Sequence, residues 1–200
     1  MNSRWLIAIG VLALHGTLLL IYWWPESKQL VGDERLYLQT ATQIAAGHDK
    51  SLPLLWPPFY ADFVAWILWL GGSLFYVQLA QTGLLFGCAV LARDAVRRLI
   101  GPGVAANGTA LLFVTYPPLV GFAHYLWPEV LHLALWVAAL WILVARRESQ
   151  PWLAGLGLCL GLAFLTKTLL APFLPVLLVP IVWKGRLRDR AQQRLQAEDD

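Results

Sequence analysis

Long apolar runs, separated by short polar or charged segments, most constrain what this 200-residue chain can fold into. The first run covers residues 5–24, and a helix of 20 residues spans a bilayer core of about 30 Å. Further runs cover residues 73–92, 104–123, 127–145 and 152–183, and a shorter one covers 59–70. This pattern predicts an all-α, polytopic protein of the membrane.

The composition agrees, because 58% of the residues are hydrophobic and only 14% are charged. Soluble domains carry about 25% charged residues, so this chain lacks the polar side chains that a water-facing surface requires. Cys88 and Cys159 lie inside apolar runs and are interpreted as buried hydrophobic residues, not as a disulfide or metal ligands. The net charge of +3 is attributed to membrane orientation, and no nucleic-acid partner is predicted.

Basic residues predict which loops face the cytoplasm. They cluster at Arg4, at 93–98, at 146–147 and at 184–194, so the number of crossings between successive clusters must be even. The run at 59–70, about 18 Å as a helix, is too short to cross and is predicted to lie at the outer interface. The run at 152–183 is predicted to form a hairpin of two spans with Lys167 at its outer turn. Six spans result, with both termini cytoplasmic.

One outer loop is long, and it covers residues 25–58. Within it, residues 33–46 predict a surface helix that stops at Gly47, because their apolar side chains follow one helical face. Those side chains belong to Leu36, Tyr37, Thr40, Ala41, Ile44 and Ala45. The predicted organisation is therefore a transmembrane module at 1–184, with two outer-face interfacial helices, and a polar cytoplasmic tail at 185–200.

The predicted topology gathers ionisable residues on the outer side, where such groups are costly at membrane depth and usually functional. They are Asp33, Glu34, His48, Asp49, Asp62, His124, Glu129, His132 and Lys167. Asp33 and Glu34 open the surface helix. Asp33 is either an N-cap, which accepts a hydrogen bond from the first turn, or a carboxylate that takes a proton from an acceptor hydroxyl. Asp33 and Glu34 are the candidate catalytic residues.

Glu129 follows Trp127 and Pro128 at the predicted outer turn between two spans. It is either an acid that stabilises the start of a helix, where the helix dipole is positive, or a second acid of an outer site. A divalent metal ion is the only cofactor considered, with Glu129 as its candidate ligand. Glu129 and His132 form a single Glu-x-x-His pair, whereas di-iron bundles need two. His124 is either a buried core histidine or a neighbour of this second acid.

Lys167 lies in the middle of an apolar run, between Thr166 and Thr168. A lysine in this place either extends its amine to the interface or binds a phosphate at the outer leaflet, with the adjacent hydroxyls as further donors. Lys167 and Arg35 are the candidate ligands of a lipid phosphate.

The order and spacing of these motifs resemble the polytopic GT-C glycosyltransferases, which include protein O-mannosyltransferases and lipid A aminoarabinose transferases. The resemblance runs from about residue 5 to 184 and depends on five segments after the anchor span. They are Gly32-Asp33-Glu34-Arg35-Leu36-Tyr37 with Ala46-Gly47, Trp56-Pro57-Pro58-Phe59-Tyr60, Leu91-Ala92-Arg93, Trp127-Pro128-Glu129, and Ala154-Gly155-Leu156 with Ala163-Phe164-Leu165-Thr166-Lys167.

The resemblance implies transfer of a sugar, with inversion, from a polyprenyl phosphate to a lipid or glycan acceptor outside a bacterial inner membrane. It implies that Asp33 is the base or the acceptor-orienting acid of the first outer loop, that Glu129 is the acid of the second outer turn, and that Lys167 lies near the lipid phosphate. Family members are typically at least twice this length, so the chain corresponds to a front module. Three alternatives stay open: a truncated or split product, a minimal enzyme, or a subunit whose partner chain supplies further helices.

Two other classes compete with the enzyme. A non-catalytic membrane subunit or lipid-binding scaffold would keep the fold without the chemistry. A small transporter is less favoured, because the polar residues gather on one side and form no charged pathway to the other.

Overall fold

The computed structural model describes residues 3–23, 29–48, 56–145 and 150–169. The chain divides into two compact units, Met1–Lys167 and Thr168–Asp200, and of the second only residues 168 and 169 are described. The described part of the first unit contains α-helices and no strand, which confirms the all-α class. The helices are α1 (Ser3–Trp23), α2 (Glu34–Ala45), α3 (Phe59–Trp69), α4 (Leu74–Ile100), α5 (Val104–Thr115), α6 (Pro117–His124), α7 (Glu129–Ala145) and α8 (Gln150–Thr166).

Among the described residues, α4 is the one helix that is long and apolar enough to cross a membrane by itself. The pair α5 and α6 passes the same test only when taken together. Four shorter apolar helical segments are Trp5–Ile21, Phe59–Trp69, Glu129–Ala145 and Pro151–Thr166. The number of spans stays a prediction. The second half of the predicted hairpin, the tail at 185–200, and Arg146 and Arg147 lie outside the described residues.

The run at 104–123, expected to form one span, consists of two helices that meet at an angle of 47°. The break falls at Tyr116, whose backbone is extended with φ −66° and ψ 116°. Pro117 causes this conformation, because its ring excludes the helical conformation for the residue before it. Pro117 and Pro118 then occupy the first turn of α6, where a missing N–H costs nothing.

Two glutamines of α4 bind the carbonyl groups at the end of α6. Gln81 Nε2 donates to the carbonyl oxygens of Ala123 at 3.1 Å and of Tyr125 at 2.7 Å, and Gln78 Nε2 donates to that of His124 at 3.0 Å. The last carbonyls of a helix have no partner within it, so buried amides in this place satisfy them. The side chains of α4 thus fix the chain just before the Trp127-Pro128-Glu129 segment.

The helix predicted at 33–46 is confirmed as α2, and its location at the membrane surface stays a prediction. Its end before Gly47 follows from the φ of +78° of that glycine. One face of α2 packs on α3, the short helix expected at 59–70. The ring of Tyr37 contacts that of Tyr60 edge-on at 4.8 Å between centroids, and Leu126 and Leu131 join the same buried cluster. The two short helices therefore pack where α7 begins.

Candidate functional site

The start of α2 presents two acids in different surroundings. Asp33 is exposed at the N-cap position, yet its side chain makes no capping hydrogen bond. Glu34 is fully buried, and its carboxylate accepts the backbone N–H of Val31 at 2.9 Å and that of Leu126 at 2.8 Å. Because Leu126 lies 92 residues further along the chain, Glu34 ties the start of α2 to the segment before α7.

Lys167 and Glu129 form an ion pair, with Nζ 2.7 Å from Oε1. Lys167 directly follows α8, and Glu129 is the first residue of α7. The negative end of one helix dipole and the positive end of the other favour a cation and an anion in these places. The two side chains are 36% and 26% exposed, so a ligand can reach the pair.

Tyr37, on α2, is affected by charges of both parts of the site. Burial, followed by the negative charges of Glu129 and Asp33, raises the pKa of its phenol well above the usual value. The two carboxylates are therefore close enough to the same hydroxyl to repel its anion. The phenol stays protonated near neutral pH and can donate a hydrogen bond to a carboxylate or to a bound sugar.

Asp33, Glu34, Tyr37, Glu129 and Lys167 are called the outer-end cluster, after the side on which the sequence predicts them. Two buried polar atoms beside it have no hydrogen-bond partner among the described residues: Glu129 Oε2 and Trp127 Nε1. An acceptor and a donor of this kind can each be satisfied by a hydroxyl group of a ligand, because a hydroxyl both donates and accepts. This arrangement suits a polyhydroxylated ligand.

Two other predicted site residues have different surroundings. Arg35 is exposed, and its Nε donates to the carbonyl oxygen of Leu30 at 3.1 Å. His124 is buried at the end of α6, with Nε2 2.9 Å from Nδ1 of His15. His15 Nε2 donates to the carbonyl oxygen of Val114 at 3.0 Å. In neutral His15, Nδ1 is therefore the acceptor of a hydrogen bond from the Nε2–H group of His124. His124 thus joins α6 to α1.

The described residues contain no group of three His, Cys, Asp or Glu side chains that could hold one metal ion. His132 is one turn after Glu129, but both its ring nitrogens are engaged. Its Nε2 accepts the indole N–H of Trp136 at 3.1 Å, so Nδ1 carries the proton and donates to the carbonyl oxygen of Ala163 at 3.1 Å. Metal binding at Glu129 stays a prediction.

Comparison with known proteins identifies the family of the chain. Residues 57–196 match the family described as dolichyl-phosphate-mannose-protein mannosyltransferase. The chain is also 34% identical over 141 residues to undecaprenyl phosphate-alpha-4-amino-4-deoxy-L-arabinose arabinosyl transferase 2 of Pseudomonas fluorescens. That alignment covers 64% of this chain and 23% of the relative, so the chain spans about a quarter of the relative's length. No solved structure matches the chain.

Proposed function

Because this chain belongs to the dolichyl-phosphate-mannose-protein mannosyltransferase family of GT-C membrane glycosyltransferases, we propose that it transfers a sugar from a polyprenyl-phosphate donor. The acceptor is a hydroxyl group of a lipid or glycan on the outer face of the membrane, and the sugar is transferred with inversion. The donor class agrees with the name of the relative, which acts on a sugar carried by undecaprenyl phosphate.

One observation supports this proposal most strongly: residues far apart in the sequence meet in the outer-end cluster. Lys167, beside Glu129, supplies a positive charge at the end of α8, and Asp33 and Glu129 both act on the phenol of Tyr37. A site that breaks a glycosyl phosphate needs a cation for the leaving phosphate and a carboxylate for the incoming hydroxyl. The cluster contains both.

We assign the roles as follows. Asp33 accepts the proton of the acceptor hydroxyl while the oxygen of that hydroxyl attacks the anomeric carbon of the sugar. The bond from that carbon to the phosphate oxygen breaks on the opposite side, and the electron pair leaves with the lipid phosphate. Lys167 stabilises the departing phosphate, with Arg35 as the second basic residue of the donor site.

Glu34 and Glu129 act beside these groups. The burial of Glu34 and its hydrogen bonds to the N–H groups of Val31 and Leu126 support a positioning role. In this role, Glu34 fixes the start of α2, which carries Asp33, against the segment before α7. Glu129 is the second acid of the site.

The membrane arrangement that this function requires has six spans with α2 and α3 at the outer face and both termini cytoplasmic. The ion pair supports it, because Lys167 and Glu129 were predicted at separate outer turns and lie 2.7 Å apart. A lipid-linked donor enters such a site from the bilayer, so a basic residue at a membrane-facing helix end is suitable for its phosphate.

The test is sugar transfer in reconstituted vesicles that contain the undecaprenyl-phosphate donor. Asp33→Asn should reduce the rate at least about 100-fold, because it removes the base without removing bulk. Asp94→Asn, far along α4, is the matched control and should transfer at the wild-type rate. Full activity of Asp33→Asn would refute the role of Asp33. Donor binding without transfer by the wild type would favour the lipid-binding scaffold.

A further inference from the structure

The ion pair of Lys167 and Glu129 has a consequence for how the donor site is filled, which rests on the proposed function. The cation that would bind the lipid phosphate is already in contact with a carboxylate at 2.7 Å. A phosphate therefore meets a neutral pair and not an isolated positive charge. Its binding free energy includes the cost of weakening or replacing that contact.

The geometry makes Glu129 a replaceable partner. Only Oε1 of its carboxylate contacts Lys167, and Oε2 is buried without a hydrogen-bond partner among the described residues. A carboxylate satisfied on one oxygen holds a lysine less firmly than a bidentate pair does. Both side chains are partly exposed, so another anion can approach the pair.

A second feature opposes the simultaneous contact of the Glu129 carboxylate and a lipid phosphate with Lys167. Asp33 and Glu129 already act together on the phenol of Tyr37. The exposed or partly exposed charged groups of the outer-end cluster are therefore two carboxylates, Asp33 and Glu129, and one lysine. A bound phosphate would add a third anion in surroundings of lower dielectric constant than water, where like charges repel more strongly.

We propose that Glu129 competes with the lipid phosphate for Lys167, so that donor binding exchanges a carboxylate for a phosphate at the same ammonium. In the free protein, Glu129 holds the lysine and lowers the affinity of the site for phosphate. In the donor complex, Lys167 donates to the phosphate, and the released carboxylate of Glu129 becomes available to a hydroxyl of the sugar or the acceptor.

The test is the affinity of the full chain in phosphatidylcholine nanodiscs for undecaprenyl phosphate, measured by native mass spectrometry. Glu129→Gln keeps the shape of the side chain and removes its charge. It should bind undecaprenyl phosphate about fivefold more tightly than the wild type, the ratio that corresponds to loss of a partly exposed ion pair. Lys167→Ala should bind at least about tenfold more weakly, because a charge-assisted contact to the phosphate is lost.

The double variant Glu129→Gln/Lys167→Ala separates competition from direct repulsion. It should bind no more tightly than Lys167→Ala, because Glu129 acts through the lysine. Tighter binding in this background would overturn the proposal, since Glu129 would then repel the phosphate without Lys167. Equal or weaker binding by Glu129→Gln, with an unchanged melting temperature, would also overturn it, because Glu129 would then be positioning the lysine.

Undecaprenol and inorganic phosphate identify the ligand. Weak binding of both, beside tight binding of undecaprenyl phosphate, supports a site for a lipid phosphate. If neither the wild type nor Glu129→Gln binds undecaprenyl phosphate, the proposed donor site itself fails. If the wild type binds it and only the gain in Glu129→Gln is missing, the competition alone fails.

Discussion

Two acid–base clusters lie along α7 and differ in how fully their charges are matched. At its start, Glu129 contacts Lys167 through one oxygen and leaves the other buried without a partner among the described residues. About 18 Å further along the helix, Trp141 Nε1 donates to Asp94 at 3.0 Å. Asp94 also pairs with Arg98 at 2.6 Å and Arg97 at 3.2 Å.

The difference separates a structural cluster from one suited to a ligand. Asp94, Arg97, Arg98 and Trp141, called the inner-end cluster, satisfy both oxygens of the aspartate and join α4 to α7. In the outer-end cluster, Glu129 Oε2 has no hydrogen-bond partner in the described part of the chain, and two acids act on Tyr37. Native proteins satisfy nearly all buried polar groups, so a group left open beside a cluster of charges indicates a place where another molecule binds.

The largest effect on stability is expected from Glu34→Ala at the outer end. The substitution leaves the buried N–H group of Leu126 and the partly buried N–H group of Val31 without their acceptor, which should cost about 3 kcal/mol. Thermal unfolding in detergent measures the loss. Asp33→Ala, on the same helix but exposed, is the control and should leave the melting temperature nearly unchanged. Equal losses in the two variants would contradict the positioning role of Glu34.

A smaller loss is expected from Gln81→Leu, because the carbonyl groups of Ala123 and Tyr125 and the hydroxyl of Tyr60 then lose a partner. We expect about 2 kcal/mol, together with weaker donor binding, since the segment before Trp127 is no longer held. Gln39→Leu, at an exposed position of α2, controls for the change of residue type. A stable Gln81→Leu variant with normal binding would show that this network does not support the site.

The smallest effect is expected at the inner end. Asp94→Asn keeps the shape of the side chain but removes its charge and one acceptor oxygen. The pairs that it weakens are with arginines that are 51% and 41% exposed, where solvent screens the charges. Transfer activity and donor affinity should both stay at the wild-type level. A loss of donor affinity in Asp94→Asn, measured in the same nanodiscs, would remove the contrast between the two clusters.

Local patterns in the sequence predicted much of the fold. The surface helix expected at 33–46 is α2 at Glu34–Ala45, and the short helix expected at 59–70 is α3 at Phe59–Trp69. Both follow from apolar spacing together with flanking glycine and proline. The bend at Tyr116 was missed, although Pro117 and Pro118 inside the run were a signal for it.

The site was predictable in its members but not in its contacts. The sequence predicts Asp33, Glu129 and Lys167 on one side of the membrane, and that location stays a prediction. In the structure, Lys167 pairs with Glu129, and Asp33 and Glu129 act on the same phenol. The burial of Glu34 was not predictable, because its partner Leu126 is distant in the sequence. Tyr37 and Trp127 were part of the motifs. Only packing reveals that two acids act on the phenol of Tyr37 and that the indole N–H of Trp127 has no partner among the described residues.

The central claim is that the outer-end cluster binds a lipid phosphate through Lys167, and the most direct test compares Lys167→Ala with Arg98→Ala. Native mass spectrometry of the nanodisc-embedded protein would measure bound undecaprenyl phosphate in both variants and in the wild type. We predict that the wild type and Arg98→Ala bind undecaprenyl phosphate and that Lys167→Ala binds it at least about tenfold more weakly. Equal binding by all three proteins, or loss only in Arg98→Ala, would contradict it.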